Sequence, residues 1–184
     1  MKVSTLLAAV VASGNYVPYS GATEKVNLGA QDLTTTGYIN WKKSGVFAYL
    51  PTETDTTTTT AATYYPVAGT FTNAPVENFT AVDTPGIRYD GTPSQFFEID
   101  WHCTFEVDSA SKTVTVGVAI NETVVAASTR SMFCRYANDS VHLSGTYVVE
   151  LATNDEVQLV VASDYDGLVV SFDTFNVSIR PFFY

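Results

Sequence analysis

The chain has 184 residues, of which 46% are hydrophobic and 13% aromatic, so it can bury a core of domain size. Only 15% of the residues are charged, and the net charge is −10. This negative charge argues against a nucleic-acid partner, whose phosphates require basic patches, and against an anionic membrane surface. The abundance of Thr, Ser, Val, Tyr and Phe is typical of strands rather than helices.

The first segment, MKVSTLLAAVVASG over residues 1–14, allows two interpretations. A lysine followed by a short apolar run and Ala-Ser-Gly is similar to a signal peptide. The apolar residues also recur at the i, i+3, i+4, i+7 spacing of one helix face. That face consists of Val3, Leu6, Leu7, Val10 and Val11. We favour a docking or self-association helix, and the apolar run is too short to span a membrane.

Residues 15–63 show no sustained periodicity. They open with NYVPYSGATEKVNLG, in which Tyr16, Pro18 and Tyr19 form a compact aromatic group. The strand-like pieces that follow are too short to form a sheet in isolation. The tract PTETDTTTTTAAT over 51–63 has no apolar pattern, which is typical of a linker or extended stalk. An O-glycosylated stalk is the alternative interpretation of this tract.

From residue 64 onwards, apolar and polar residues alternate with the period of a strand. In FFEIDWHCTFEV, one side of the predicted strand carries Phe97, Ile99, Trp101, Cys103, Phe105 and Val107. In KTVTVGVAI, the apolar side carries Val114, Val116, Val118 and Ile120. Turn sequences such as DSASK, ANDS, ATND and SDYDG separate the patterns. This spacing predicts an all-β sandwich over residues 64–184.

The two cysteines, Cys103 and Cys134, lie far apart in the sequence. Cys103 falls on the apolar side of its predicted strand, so we interpret it as a reduced core thiol. A single disulfide bond between the two cysteines is the alternative. The sequence contains neither a CxxC motif nor a Cys/His cluster that would bind a metal.

No catalytic motif is present, since the sequence lacks GxSxG, HExxH and a phosphate-binding glycine loop. His102 and His142 fall at polar strand positions, and we interpret them as surface or interface residues. Asp164 and Asp166 in SDYDG lack the other ligands of a calcium loop, so a hairpin turn is favoured over an ion held by aligned copies of this loop. We predict no enzyme activity, no cofactor and no metal site.

Several segments resemble known fibre proteins. YYPVAGTFT, IRYDGTPSQFFEIDWHCTFEV, VTVGVAINETVVAAS, YVVELATNDEVQLVV and FNVSIRPF together resemble the TNF/C1q-like jelly-roll head of virus and phage fibres. YVPYSGATEKVNLGAQDLTTTG resembles a segment that recurs in phage fibre proteins just before the shaft or head. The resemblances imply a jelly-roll head over 64–184, preceded by a short N-terminal helix and an extended stalk, in a homotrimer.

The same resemblances imply a virion structural protein rather than an enzyme. It would be a short trimeric head fibre or a capsid decoration protein on the virion surface, docked to the major capsid protein or another virion protein through its N-terminal region. The docking residues would be Val3, Leu6, Leu7, Val10, Tyr16, Pro18 and Tyr19. Head-loop tyrosines that could contact host-surface carbohydrate are Tyr89, Tyr136 and Tyr165. The alternatives are the receptor-binding tip of a phage tail fibre and a secreted C1q-like ligand.

Overall fold

The structure, a computed structural model, describes residues 45–73, 77–82, 86–92 and 94–182. The chain divides into two compact units, Met1–Asn40 and Trp41–Tyr184, and all described residues belong to the second unit. The predicted helix over 1–14 and the attachment segment lie outside the described residues and stay predictions. The same holds for the docking residues Val3, Leu6, Leu7, Val10, Tyr16, Pro18 and Tyr19.

Within the described residues, thirteen strands form two antiparallel sheets, and a single turn of 3-10 helix, Ala126–Ser128, precedes β10. The strands are β1 Val46–Tyr49, β2 Thr54–Thr58, β3 Tyr65–Pro66, β4 Thr72–Asn73, β5 Phe79–Val82, β6 Gly86–Tyr89, β7 Gln95–Val107, β8 Lys112–Ile120, β9 Thr123–Val124, β10 Arg130–Cys134, β11 Val141–Leu151, β12 Glu156–Ser163 and β13 Leu168–Pro181. None of the described residues belongs to a helix long and apolar enough to cross a bilayer.

The first sheet has the strand order β11-β7-β13-β1-β4, and β2 also pairs with β13. The second sheet has the order β10-β8-β12-β6-β5, with β3 on β12 and β9 on β8. Few neighbouring strands are consecutive in the chain, so the chain crosses repeatedly between the sheets. This connectivity is that of a jelly roll.

The core lies between the two sheets, where the alternation of β7 and β8 predicts it. All six apolar side chains on one side of β7 are at most 2% exposed, namely Phe97, Ile99, Trp101, Cys103, Phe105 and Val107. Val114, Val116 and Val118 of β8 are fully buried in the same cluster, and Ile120 packs against it. Each buried aromatic or branched side chain contributes about 1.5–3 kcal/mol by leaving water. The predicted all-β sandwich is therefore confirmed.

Five residues of the threonine tract form a strand of this sandwich. Thr54–Thr58 pairs with Leu168–Phe172 of β13, and the side chains of Thr56 and Thr58 point into the core. Threonine is β-branched and suits a strand, and its hydroxyl can be buried once it is hydrogen-bonded. The predicted linker over 51–63 is therefore wrong. The predicted domain boundary at residue 64 is wrong as well, because β1 and β2 precede it.

Both cysteines are buried, and neither forms a disulfide bond. This confirms the reduced core thiol predicted for Cys103. Burial raises the pKa of the Cys103 thiol to about 12, because the core disfavours the thiolate charge. Burial also raises the pKa of Cys134, with a smaller contribution from the nearby Asp164 carboxylate.

Candidate binding sites

One end of the sandwich, here called the loop end, is formed by the four loops 59–64, 108–111, 135–140 and 164–167. The Ala61 amide of the first loop donates to Asp166 Oδ1 of the last loop at 2.6 Å. Backbone hydrogen bonds connect the loops to the adjoining strands. They are Ala62 N to Ser163 O at 2.7 Å, Asp164 N to Thr113 O at 3.1 Å, Gly167 N to Thr58 O at 2.8 Å and Asn138 N to Val107 O at 2.8 Å. The loop end is therefore one connected surface.

Two of the three tyrosines proposed as ligand contacts lie at the loop end. The side chains of Tyr136 and Tyr165 are 58% and 47% exposed. The Lys112 ammonium lies 3.5 Å from the centroid of the Tyr165 ring, and the Arg135 guanidinium carbon lies 5.8 Å from that of Tyr136. These cation–π contacts orient both rings at the surface.

Tyr89 does not belong to this surface. It ends β6 near the opposite end of the sandwich, where its amide donates to Asp155 O at 2.8 Å. Its ring is fully buried and packs 5.0 Å from the ring of Phe97, and its hydroxyl accepts a hydrogen bond from Gln95. The prediction of an exposed ligand contact at Tyr89 is therefore wrong, because strand alternation directs Ile87 and Tyr89 inward together.

A cavity of about 210 Å³ at the loop end adds polar groups to the tyrosines. It is lined by Ala62, Tyr64, Thr113, Thr115, Ala162, Ser163 and Asp164. The Asp164 carboxylate accepts a hydrogen bond from the Thr113 amide at 2.8 Å, and this bond lowers the pKa of Asp164. A carboxylate beside aromatic rings can accept hydrogen bonds from sugar hydroxyls while the rings contact sugar C–H groups.

The outer face of the first sheet carries a second group of exposed aromatic residues, here called the aromatic patch. Its members are Phe47 and Tyr49 of β1, Phe96 of β7 and Phe182 just after β13, and they are 37–46% exposed. The rings of Phe47 and Tyr49 lie 6.3 Å apart, and the Phe182 amide donates to Phe96 O at 2.8 Å. The patch thus consists of two aromatic pairs on one sheet face, with Glu98 and Arg180 between them.

The polar residues on the same face form cross-strand pairs. Arg180 contacts both Glu98 and Asp100, and its hydrogen bond to Glu98 is the main cause that raises the pKa of Arg180. A ring nitrogen of His102 lies 3.0 Å from the side-chain nitrogen of Asn176. The exposed His142 pairs with Thr104 of β7 in the same manner. The interpretation of both histidines as surface residues is therefore confirmed.

A third candidate site, here called the edge cavity, lies at the β11 edge of the first sheet. It has a volume of about 420 Å³ and is lined by Asp100, Trp101, His102, Arg130, Ser144, Gly145 and Thr146. Gly145 pairs with Trp101 across β11 and β7. The Trp101 Nε1 atom is buried and has no hydrogen-bond partner among the described residues. A buried donor without an acceptor costs about 1–3 kcal/mol.

No protein-family model and no curated protein matches the chain. Solved structures do match it. Eiger TNF from S. frugiperda superposes with a TM-score of 0.57 at 9% sequence identity, covering 77% of this chain and 94% of that one. The fold is TNF-like. Murine APRIL, solved at pH 5.0, aligns with a TM-score of 0.49 at 11% identity, covering 75% of this chain and 99% of that one.

The TNF-like sandwich carries its three candidate sites at different places: the loop end, the aromatic patch and the edge cavity. Of these sites, only the loop end was predicted from the sequence, through Tyr136 and Tyr165. The edge cavity has one sequence signal, the glycine that interrupts the apolar positions of VHLSGTYVVEL in β11. Among the described residues, no group of three His, Cys, Asp or Glu side chains is placed to hold a metal ion.

Proposed function

We propose that the chain is a binding and display protein of the virion surface, a short homotrimeric head fibre or capsid decoration protein. Its TNF-like sandwich is the displayed head, and its N-terminal region docks to the major capsid protein or another virion protein. The proposal rests on two independent sequence resemblances, to fibre heads and to the attachment segment YVPYSGATEKVNLG, together with the fold.

The observation that carries the trimer is the aromatic patch. Phe47, Tyr49, Phe96 and Phe182 present ring surface on one side of the first sheet, and none of them belongs to the core. Closed symmetric assembly covers such a face with identical copies of the same chain. In a trimer, short strand-like pieces such as KVNL could also pair with strands of the neighbouring chains.

The trimer is tested by light scattering on the full chain after size exclusion. We expect a mass of about three times the 19.9 kDa of one chain. Replacing Phe47 and Phe96 together by Ser removes ring contacts at the patch, so the double variant should elute at the mass of one chain. Phe133→Ser is the matched control, because Phe133 is 58% exposed on β10 of the other sheet. A monomeric parent chain, or equal dissociation by the control, contradicts the trimer.

The virion location is tested by immunogold labelling of particles purified from cells that produce the chain. Regular labelling of particles is expected, and deletion of residues 1–30 should abolish it while the trimeric head persists. The signal-peptide-like residues 1–14 favour a second candidate, a secreted C1q-like ligand. Recovery of the chain from the medium without these residues, as measured by intact mass spectrometry, supports that candidate and contradicts the virion proposal.

Contact with host-surface carbohydrate is the remaining part of the proposal. We expect a neutral glycan to bind at the loop end. Binding there is supported by the exposed rings of Tyr136 and Tyr165, by the cavity beside Tyr64 and by the Asp164 carboxylate. A glycan array probed with the full chain should give signals that soluble glycan inhibits and that Tyr165→Ala weakens, whereas Phe133→Ala leaves them unchanged. Strong, selective binding would favour the tail-fibre tip, and no binding would leave decoration of the shell as the function.

A further inference from the structure

We infer that the edge cavity is a separate binding site for the carboxylate group of an acidic saccharide. The inference does not depend on the trimer or on the virion location, because each group that forms the cavity belongs to one chain. The cavity lies at the β11 edge, whereas Phe47 and Tyr49 of the aromatic patch lie on β1. In the sheet order, β7 and β13 separate β11 from β1.

The first observation is the unpaired indole N–H. Trp101 is 1% exposed, and its Nε1 has no hydrogen-bond partner among the described residues. Most buried polar groups in folded proteins are paired, so an unpaired donor next to a cavity indicates that an acceptor binds there. The indole Nε1 would lie 2.9 Å from a Cβ atom at Gly145. The indole N–H of Trp101 therefore lies beside Gly145, the one inward-facing residue of β11 that has no side chain.

The second observation is the guanidinium group at the same cavity. Arg130 opens β10, and both hydrogen bonds of its side chain use Nη1, to Ala127 O at 3.3 Å and to Thr129 O at 2.7 Å. These contacts hold the side chain in place, and among the described residues they engage none of the donors on Nε and Nη2. A guanidinium with two donors on one side is the arrangement that binds a carboxylate in a bidentate manner.

The one carboxylate in the cavity does not compete for this guanidinium. Asp100 Oδ1 accepts a hydrogen bond from Thr146 at 2.6 Å, and Oδ2 is paired with Arg180. Neither oxygen of Asp100 is thus paired with Arg130, and among the described residues the Arg130 guanidinium has no carboxylate partner. A guanidinium without a carboxylate partner is free to form charge-assisted hydrogen bonds with the carboxylate of a ligand.

The lining and the size indicate which carboxylate binds. A volume of about 420 Å³ exceeds what a bare carboxylate fills, and the walls add the Ser144 and Thr146 hydroxyls and the His102 ring. Hydroxyl and imidazole groups around an indole provide hydrogen bonds for the hydroxyls of a sugar ring. A saccharide with a carboxylate, of the uronic or sialic acid type, uses both parts of the cavity.

The test uses the full chain carrying Trp41→Phe, so that Trp101 is its only tryptophan. Glucuronate is added while the Trp101 fluorescence and the indole N–H resonance are followed. Glucose, which lacks the carboxylate, and acetate, which lacks the sugar ring, serve as matched probes. We expect saturable changes with glucuronate, a downfield shift of the indole proton, and affinities at least about tenfold weaker for glucose and for acetate.

Two variants assign the effect to the cavity. Arg130→Gln should weaken glucuronate binding about tenfold, because it removes the charged fork, while its thermal unfolding shows that the fold persists. Arg88→Gln is the control, since Arg88 lies on β6 of the second sheet and lines neither the edge cavity nor the loop end. Equal responses to glucose and glucuronate, or unchanged binding by Arg130→Gln, would overturn the inference.

Discussion

Trp101 on β7 and Gly145 on β11 lie directly opposite each other, and a Cβ atom on Gly145 would lie 2.7 Å from the indole ring. The indole therefore occupies the space of two side chains, its own and the one that β11 lacks. On its other side, the indole ring packs 6.2 Å from the ring of Phe175 on β13. The size of the residue at 145 thus fixes the position of the largest side chain in the core.

We predict that Gly145→Ala destabilises the fold by about 1–3 kcal/mol, because the added methyl group forces the indole out of its position. Urea unfolding measures the loss, and Trp101 fluorescence in a Trp41→Phe background reports the displaced ring. Combining Gly145→Ala with Trp101→Phe should recover part of the loss, since the smaller ring leaves space for the methyl group. Ser144→Ala, on the exposed side of the same strand, is the control; an equal loss there would contradict the steric explanation.

The second prediction concerns the threonine strand. The buried Thr58 hydroxyl lies 3.1 Å from Ser163 Oγ and 3.2 Å from Leu168 O and donates towards both. Thr58→Val keeps the shape and removes the donor, so it should lower the free energy of unfolding by about 1–2 kcal/mol. The control is Thr57→Val, since Thr57 is exposed on the same strand and should change stability by less than about 0.5 kcal/mol. Equal effects in thermal unfolding would mean that β2 is not packed as described.

These threonines show why sequence patterns predict some strands and miss others. In β7 the buried residues are Phe, Ile, Trp, Cys and Val and the residues between them are mostly charged or polar, so hydropathy alternates clearly. In TDTTT the buried positions are threonines and the exposed ones are Asp55 and Thr57, so neither side is apolar. The core side is satisfied by the hydrogen bonds of Thr58 and by the amide that donates to Thr56. A strand whose core side is satisfied by hydrogen bonds has no hydropathy signal.

The candidate sites were predictable to different extents for similar reasons. Tyr136 and Tyr165 lie in polar turn sequences, which are usually exposed, and both are exposed. Tyr89 precedes the turn residues Asp90 and Gly91, but its strand position relative to Ile87 places it in the core. The edge cavity brings Arg130 of the second sheet to Gly145 of the first. Such a contact depends on how the sheets pack, which local periodicity does not encode.

Thiol reactivity provides a third prediction. Because burial raises the pKa of Cys103 to about 12 and raises that of Cys134 as well, neither thiol should react with a disulfide reagent in the folded chain at mildly alkaline pH. Both thiols per chain should react after unfolding in urea. Rapid labelling of the folded chain would contradict the buried, reduced assignment.

The raised pKa of Cys103 also has a consequence for stability. The pKa of Cys103 in the folded chain lies above the ordinary value of 9.0. The stability that the protonated thiol contributes is therefore fully present below about pH 9. It is lost as the pH rises from about 9 towards 12, since the unfolded chain then releases the proton first. The free energy of unfolding should therefore decline above about pH 9, and Cys103→Ala should decline less steeply in the same urea titrations.

The last prediction concerns acid. The Thr113 amide and, to a lesser extent, Lys112 lower the pKa of Asp164 below its ordinary value of 3.8. A depressed folded pKa stabilises the fold above the unfolded value, and this contribution is lost as the pH falls through the folded pKa. The free energy of unfolding should therefore decrease below about pH 4 in the parent chain.

Asp164→Asn separates the charge from the hydrogen bond. The amide oxygen of Asn can still accept from Thr113 but does not titrate, so the variant should be less stable than the parent at neutral pH and lose less stability in acid. Urea unfolding from neutral to acidic pH measures both slopes. Asp139→Asn removes an equal charge from the loop after β10, where no described hydrogen bond involves that carboxylate, and should leave the acid slope unchanged. If the two variants gave the same acid slope, the loss would reflect net charge rather than the contact between Asp164 and Thr113.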